Sequence, residues 1–331
     1  MHFCTLFDSN YVSKGIALYL SLQMHTDDFV LYVMSLDREC KEMLQSCDFK
    51  HMIVECIDDI CSSELTEAKN NRSRAEFCWT CGSFFTDYFM NKYNLPDITY
   101  LDSDLMFYSS PKSVYDEVQM NGASIGLVPH FTSVSVFGKY CVQFVYFKND
   151  DDGKACLRKW RNQCLEWCYS RLEGGKYGDQ KYLESFADSY RNVYEVQNRG
   201  VGVAYWNMYD NTYDGPNILY KGQTWPVVFF HYSGFNIVVR DNKMIIHHTM
   251  YLSQIIRETF VDPYINLLKS VYERYLNIPI TDIVVTPLNP LKYFIKTLVH
   301  FINKIIPTNK AIGVFNKYRY RERQSPYSES Q

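Results

Sequence analysis

The chain of 331 residues carries 34 basic and 37 acidic side chains, a formal net charge of −3, with 47% hydrophobic and 21% charged residues. Such proportions exclude wholesale disorder, and at roughly 150 residues per domain they give one large domain or two smaller ones. A pI near 6.2 excludes a dedicated nucleic-acid binder, whose mark is a strongly basic face. The charge is unevenly spread: from Ile283 onward eight Lys/Arg face two Glu, a net of +6, which leaves −9 on the first 282 residues. Aromatic residues reach 16%, with 28 tyrosines, and amphipathic rings of this kind line polar-ligand grooves. The opening Met1-His2-Phe3-Cys4-Thr5 lacks the charged start and apolar run of a signal peptide. The expected compartment is therefore the reducing cytoplasm, with the 11 cysteines as free thiols. No uninterrupted apolar run of about 18 residues is present, so no ordinary membrane span is expected.

In chain order, His2 to Phe7 reads as a buried strand. Tyr11 to Met24 reads as a helix, with Ile16, Leu20 and Met24 four residues apart on one face. Phe29 to Leu36 is a second strand, Asp37 to Cys47 a helix, and Met52 to Ile57 a third strand. Glu76 to Tyr93 is a long helix and Ile98 to Leu101 a fourth strand. Strands alternating with helices imply βαβ units and a mostly parallel sheet. In such sheets ligands bind beyond the carboxyl ends of the strands. Further on, Ser124 to Val128 and Cys141 to Phe147 read as strands and Gly153 to Arg171 as a helix that ends before Gly174-Gly175. Val193 to Val203 and Val227 to His231 follow as strands. In the tail, Leu291, Phe294, Ile295, Leu298, Ile302, Ile305 and Ile306 share one helical face. Lys292, Lys296 and Lys304 lie off that face, and Lys310, Lys317, Arg319, Arg321 and Arg323 follow. The pattern fits a membrane-surface helix binding anionic lipid through residues 291–323, or a helix docked on the body with a solvated basic face. The expected organisation is one α/β domain over residues 1–250 and a helical, basic extension over 251–331.

Two strand ends carry candidate chemistry. After the first strand comes Asp8-Ser9-Asn10-Tyr11, and after the fourth comes Asp102-Ser103-Asp104. Two carboxylates two residues apart point the same way in an extended chain. Their joint charge suits a hard divalent ion such as Mg²⁺ or Mn²⁺, usually shared with a phosphate; the alternative is a pair of turn acids. His231, after Val227-Val228-Phe229-Phe230, is able to complete a carboxylate metal site as a neutral imidazole, or to serve as a hydrogen-bonded structural residue. Asp179-Gln180, after Gly174-Gly175-Lys176-Tyr177-Gly178, fits either a helix cap or a grip on sugar hydroxyls. The Cys78-x-x-Cys81 pair has no second pair at zinc spacing. Neither a P-loop nor a Gly-x-Gly-x-x-Gly fingerprint occurs.

The opening Thr5-Leu6-Phe7-Asp8-Ser9-Asn10-Tyr11, with Lys14-Gly15 and Leu18-Tyr19-Leu20-Ser21-Leu22, resembles the start of nucleotide-sugar glycosyltransferases of the GT-A fold. The similarity is to family-8-like enzymes and related bacterial surface-polysaccharide (capsule and lipopolysaccharide) transferases. Tyr100-Leu101-Asp102-Ser103-Asp104 matches their DxD motif. Pro129-His130-Phe131, Phe137 to Phe144, Lys176 to Leu183, Val201 to Asn207 and Phe230 to Gly234 resemble their later blocks, in order, from Met1 to about Val239.

The resemblance implies a mixed α/β sheet of GT-A type flanked by helices. It implies that Asp102, Asp104 and His231 hold Mn²⁺ or Mg²⁺ on the donor diphosphate, with Ser103 in the same motif. Phe7, Asp8, Asn10 and Tyr11 would hold base and ribose, with Lys14 on a phosphate. Asp179 and Gln180 would meet the donor sugar, Asp179 as the acid/base or oxocarbenium-stabilising group. The implied activity is transfer of a sugar from a nucleotide diphosphate, a UDP-sugar favoured, to a glycan or lipid-linked acceptor at the inner face of the cell membrane. The departures are Tyr205 where relatives often have Pro, Ser233 where a second His is common, no Gly-rich Lys-Pro-Trp continuation after Gly234, and Arg72 and Arg74 lying earlier than the usual Arg late in the helix before DxD. The alternatives are a sugar-1-phosphate nucleotidyltransferase and a catalytically degenerate glycan-binding protein of the same fold.

Overall fold

The computed structural model describes residues 1–60, 62–132, 137–248 and 252–287. They form two compact units, Met1–Ser233 with Gln254–Thr281, and a second that holds the described residues from Gly234 to His248 and from Asp282 to Pro287. The division expected from the sequence at residue 250 lies outside the described residues.

The first unit is built on a seven-stranded sheet of order β3-β2-β1-β4-β7-β6-β8. Its first half comprises β1 (His2–Phe7), β2 (Val30–Ser35), β3 (Met52–Cys56) and β4 (Asp97–Leu101), all parallel. These strands are linked by α1 (Val12–His25), α2 (Arg38–Ser46), α3 (Ser63–Asn71) and α4 (Arg74–Lys92). Local signals start the helices where they begin. The Asp37 side chain accepts the Cys40 N–H at α2, and Ser73 with Glu76 closes a capping box at α4, each satisfying N–H groups that no helical carbonyl reaches. Strand β4 is buried along its length, as expected for a strand covered on both faces.

Beyond β4 the sheet is mixed rather than mostly parallel. After β5 (Leu105–Phe107) and α5 (Lys112–Met120), β7 (Tyr140–Lys148) runs antiparallel to both β4 and β6 (Ile125–Pro129). Fewer than about a dozen residues join β6 to β7, too few for the crossover a parallel pair requires. Helix α6 (Asp151–Glu166) stops earlier than its periodicity suggests. The Arg72 guanidinium takes the Leu165 carbonyl, and the Tyr182 hydroxyl donates to the Trp167 carbonyl at 2.7 Å, so acceptors that another helical turn would use are already engaged.

The stretch read as one strand from Val193 to Val203 is two. Strand β8 (Val193–Glu195) closes the large sheet, and β9 (Val203–Ala204) joins β5 and β13 (Phe229–His231) in a second sheet of order β5-β13-β9. The chain changes sheets at Asn198–Gly200, where the Asn198 side chain accepts the Gly200 N–H at 2.9 Å. A Cβ on Gly200 would lie 1.9 Å from the Pro226 carbonyl oxygen. A meander of β10 (Thr212–Asp214), β11 (Asn217–Tyr220) and β12 (Gln223–Pro226) follows. Short α7 (Phe186–Ser189) and α8 (Gln254–Ile256) and the longer α9 (Asp262–Arg274) complete the unit.

The second unit pairs β14 (Phe235–Arg240) with β15 (Lys243–His248) through Asp241 and Asn242, both in the left-handed region at φ 50° and 62°. Strand β16 (Asp282–Pro287) runs parallel to β15. The basic stretch from Leu291 to Arg323 lies outside the described residues, among which no helix is long and apolar enough to cross a membrane. The cysteines among the described residues are free thiols.

Candidate active site

The two sheets meet at Asp102-Ser103-Asp104. This turn joins β4 of the large sheet to β5 of the small one. On one side the Asp102 N–H donates to the Gln143 carbonyl of β7 at 3.3 Å. On the other, β13 pairs with β5 so that His231 stands opposite Leu105, and the Tyr232 N–H donates to the Asp104 carbonyl at 2.9 Å. Register alone therefore delivers His231 to the acids: its Nε2 lies 2.9 Å from Asp104 and 3.6 Å from Asp102. One ligand atom from each of Asp102, Asp104 and His231 falls within 4.8 Å of the others. Two carboxylate oxygens and one imidazole nitrogen make a donor set that fits Mn²⁺ or Mg²⁺.

The electrostatics show how closely these groups are coupled. Burial, with the charge of Asp104 beside it, pushes the Asp102 carboxyl up to about 7 despite the opposing pull of His231. Burial also acts against ionised Asp104, but His231 and then Lys14 outweigh it and hold that carboxyl at about 2. Burial alone would lower His231; Asp104 and Asp102 instead raise it well above the usual imidazole range. Burial likewise acts against the Cys141 thiolate, but His130 and then His231 outweigh it and bring the thiol down to about 6.

Lys14, in the first turn of α1, is buried, with Nζ 3.9 Å from Asp104 and 4.2 Å from the Tyr11 ring centroid. Tyr11 is 44% exposed. Its hydroxyl is pushed up to about 12 by burial, then by Asp104 and Asp8. Asp8 is buried at the end of β1, where it accepts the Asn10 N–H at 3.0 Å and pairs with Arg74 at the start of α4. Asn10 is exposed and Ser103 half-buried. Phe7 turns its ring onto α1, where a Cβ at position 15 would lie 2.1 Å from it. Gly15 is thus what allows strand and helix to approach this closely.

Asp179 is buried, and burial followed by the charge of Asp102 holds its carboxyl well above the usual range. Its main-chain carbonyl accepts the Trp160 indole N–H at 3.0 Å, which ties this loop to α6. The cap reading of Asp179 does not hold, because the short helix that follows has Gln180 at its N-cap and no side-chain cap bond. Gln180 donates from Nε2 to the Phe137 carbonyl at 2.9 Å.

The structure thus gathers Asp102, Asp104, His231, Lys14 and Tyr11, with Asp179 sensing the same charges. It engages Asp8 with Arg74, and Gln180 with the loop at Phe137. Sequence reasoning assigned no role to Gln143, Cys141, His130 or Trp206. The Trp206 ring stands edge-on to both His130 and His231, at 5.3 and 5.4 Å. Each sits inside a segment already read as a family block, but none has a spacing that singles it out. Asn207 is a brace: its Oδ1 accepts the Ala204 N–H, and its Nδ2 donates to the His130 and Gly202 carbonyls, each at 2.9 Å.

No family model matches the chain. Among solved structures, the galactosyltransferase LgtC in complex with donor and acceptor sugar analogs superimposes over 82% of this chain and 96% of its own, with a TM-score of 0.53 at 13% identity. An active-site mutant of LgtC gives 0.52 at 12% identity over the same shares. The fold is therefore the GT-A type of glycosyltransferases. At the level of sequence, the chain belongs to the family of YfnD of Bacillus subtilis strain 168, to which it is 30% identical over 249 residues, 72% of this chain and 78% of that protein. YfnF of the same organism is 29% identical over 262 residues, 75% of this chain and 86% of its own. Both relatives are described as uncharacterized.

Proposed function

We propose that the protein is a metal-dependent glycosyltransferase that moves a sugar from a nucleotide-diphosphate donor, UDP favoured, to a glycan or lipid-linked acceptor of a bacterial surface polysaccharide. The observation that carries this reading is the convergence of Asp102, Asp104 and His231 at the junction of two sheets. When bound there, a divalent ion supplies electrophilic charge that stabilises the departing diphosphate without proton transfer. Lys14 places a buried cation beside Asp104, where it meets a phosphate oxygen. Tyr11, partly exposed at the entrance, offers a ring face to the base. Asp179 is held by the α6 indole and faces the charge of Asp102, a position suited to answering positive charge that develops on the donor sugar.

The cytoplasm is the proposed compartment, supported by a cysteine-rich core without disulfides among the described residues. Attachment to the inner membrane face rests on the sequence of residues 291–323. The test is a thermal-shift screen of nucleotide sugars with and without Mn²⁺, followed by mass spectrometry of donor breakdown and transfer products. A donor that stabilises the protein only with Mn²⁺, and is consumed, supports the reading. Failure to bind or turn over every nucleotide sugar would sink it. Release of pyrophosphate from a nucleoside triphosphate and a sugar phosphate would indicate a nucleotidyltransferase, and donor binding without turnover a glycan-binding protein.

A further inference from the structure

We infer that Gln143 is a positioning residue for the metal centre, fixing which nitrogen of His231 faces the cation; this rests on the metal-dependent reading above. Gln143 is wholly buried in β7 and touches both halves of the site. Its main-chain carbonyl accepts the Asp102 N–H at 3.3 Å, and its side-chain Oε1 lies 2.8 Å from His231 Nδ1. A carboxamide oxygen only accepts, so Nδ1 carries the hydrogen. Nε2, the nitrogen turned toward Asp102 and Asp104, is then the one whose lone pair serves a cation. One residue thereby holds the large-sheet carboxylate and the small-sheet imidazole to a common frame.

The other end of the amide sharpens the point. Gln143 Nε2 is buried without a hydrogen-bond partner among the described residues, and a Cβ at position 202 would lie 2.2 Å from it. Gly202 has φ +74°, a conformation that side chains disfavour, and Asn207 holds its carbonyl in place. A methionine would fill the same volume and leave no amide nitrogen unsatisfied. Keeping an amide whose nitrogen has no partner among the described residues, in a niche that only glycine provides, is explained by the use made of its oxygen.

The experiment uses the full chain as Q143M, which removes the acceptor at similar volume, and Q143E, which keeps an accepting oxygen. Mn²⁺ alone is titrated by electron paramagnetic resonance, and long-range ¹H–¹⁵N spectra of the metal-free protein read whether the His231 Nδ1–H is hydrogen-bonded. The expected results are Mn²⁺ binding weakened about 10- to 100-fold in Q143M, near wild type in Q143E, and a hydrogen-bonded Nδ1–H in wild type that is lost in Q143M. A purely structural role would lower the Tm of Q143M and move neither readout. Unchanged Mn²⁺ affinity in folded Q143M, or a His231 Nδ1–H without a hydrogen bond in wild type, overturns the inference. Should wild type bind no Mn²⁺, the metal reading falls while the Nδ1–H spectrum still decides whether Gln143 holds His231. Should Q143M fail to fold, wild type and Q143E carry the same two measurements.

Discussion

Asp104 meets an imidazole at one oxygen and an ammonium at the other, His231 at 2.9 Å and Lys14 at 3.9 Å. In the metal-free protein these two cations neutralise the acids, so a divalent ion entering the site competes with protons. His231 is raised well above its ordinary value and Asp102 sits at about 7, so both hold protons near neutrality that a metal must displace. Mn²⁺ affinity is therefore expected to rise with pH through about 7, with proton release that calorimetry in buffers of different ionisation enthalpy measures directly. The substitution Asp104→Asn removes a ligand charge, and an expected loss of about 100- to 1,000-fold in transfer rate follows from the size of comparable electrostatic contributions. A coupled nucleotide-release assay reads it, with Asp116→Asn on the exposed face of α5 as the unaffected control.

Between elements, packing and polar hubs do different work. The edge strand β3 is fastened to α4 by Glu55, which accepts the Tyr88 and Tyr93 hydroxyls and the Lys92 ammonium, each at 2.7 Å. Burial acts against the ionised Glu55 carboxyl, but these three donors outweigh it and lower its pKa. The unfolded chain thus binds this proton more readily than the folded one. The stabilisation is complete above the ordinary glutamate value and is lost as pH falls through the lower folded value. Glu55→Gln is expected to cost about 1–2 kcal/mol at neutral pH and to flatten the acid limb of a urea-midpoint profile. Gly15→Ala places a methyl where the Phe7 ring lies; overpacking there is expected to cost about 1–3 kcal/mol, read as a drop in Tm.

The first four strands and α1, α2 and α4 were legible because apolar runs, capping residues and spacing agreed locally. Asp102, Asp104 and His231 were legible because each ends a recognisable strand. The direction of β7, the split at Asn198–Gly200 and the partners Gln143 and Cys141 were not. They depend on which strands pair across long separations, and nothing local encodes that choice.

For the whole molecule, the −9 carried by the first 282 residues and the +6 of the remainder give a prediction about location. Removing residues 291–331 is expected to abolish co-sedimentation with anionic vesicles, and binding by the full chain is expected to fall as salt screens the charges. Unchanged vesicle binding after the truncation would leave the tail without a membrane role.

The turn at residues 102–104 ends β4 and begins β5, so the candidate centre takes its two acids from the junction of the sheets and His231 from the end of β13 in the small one. Slippage or fraying in either one separates His231 from the acids. The proposed catalysis then has no reserve of partial structure. On heating, Mn²⁺ binding, turnover and near-ultraviolet dichroism are expected to vanish together at a single midpoint, making inactivation a reporter of global unfolding in the first unit.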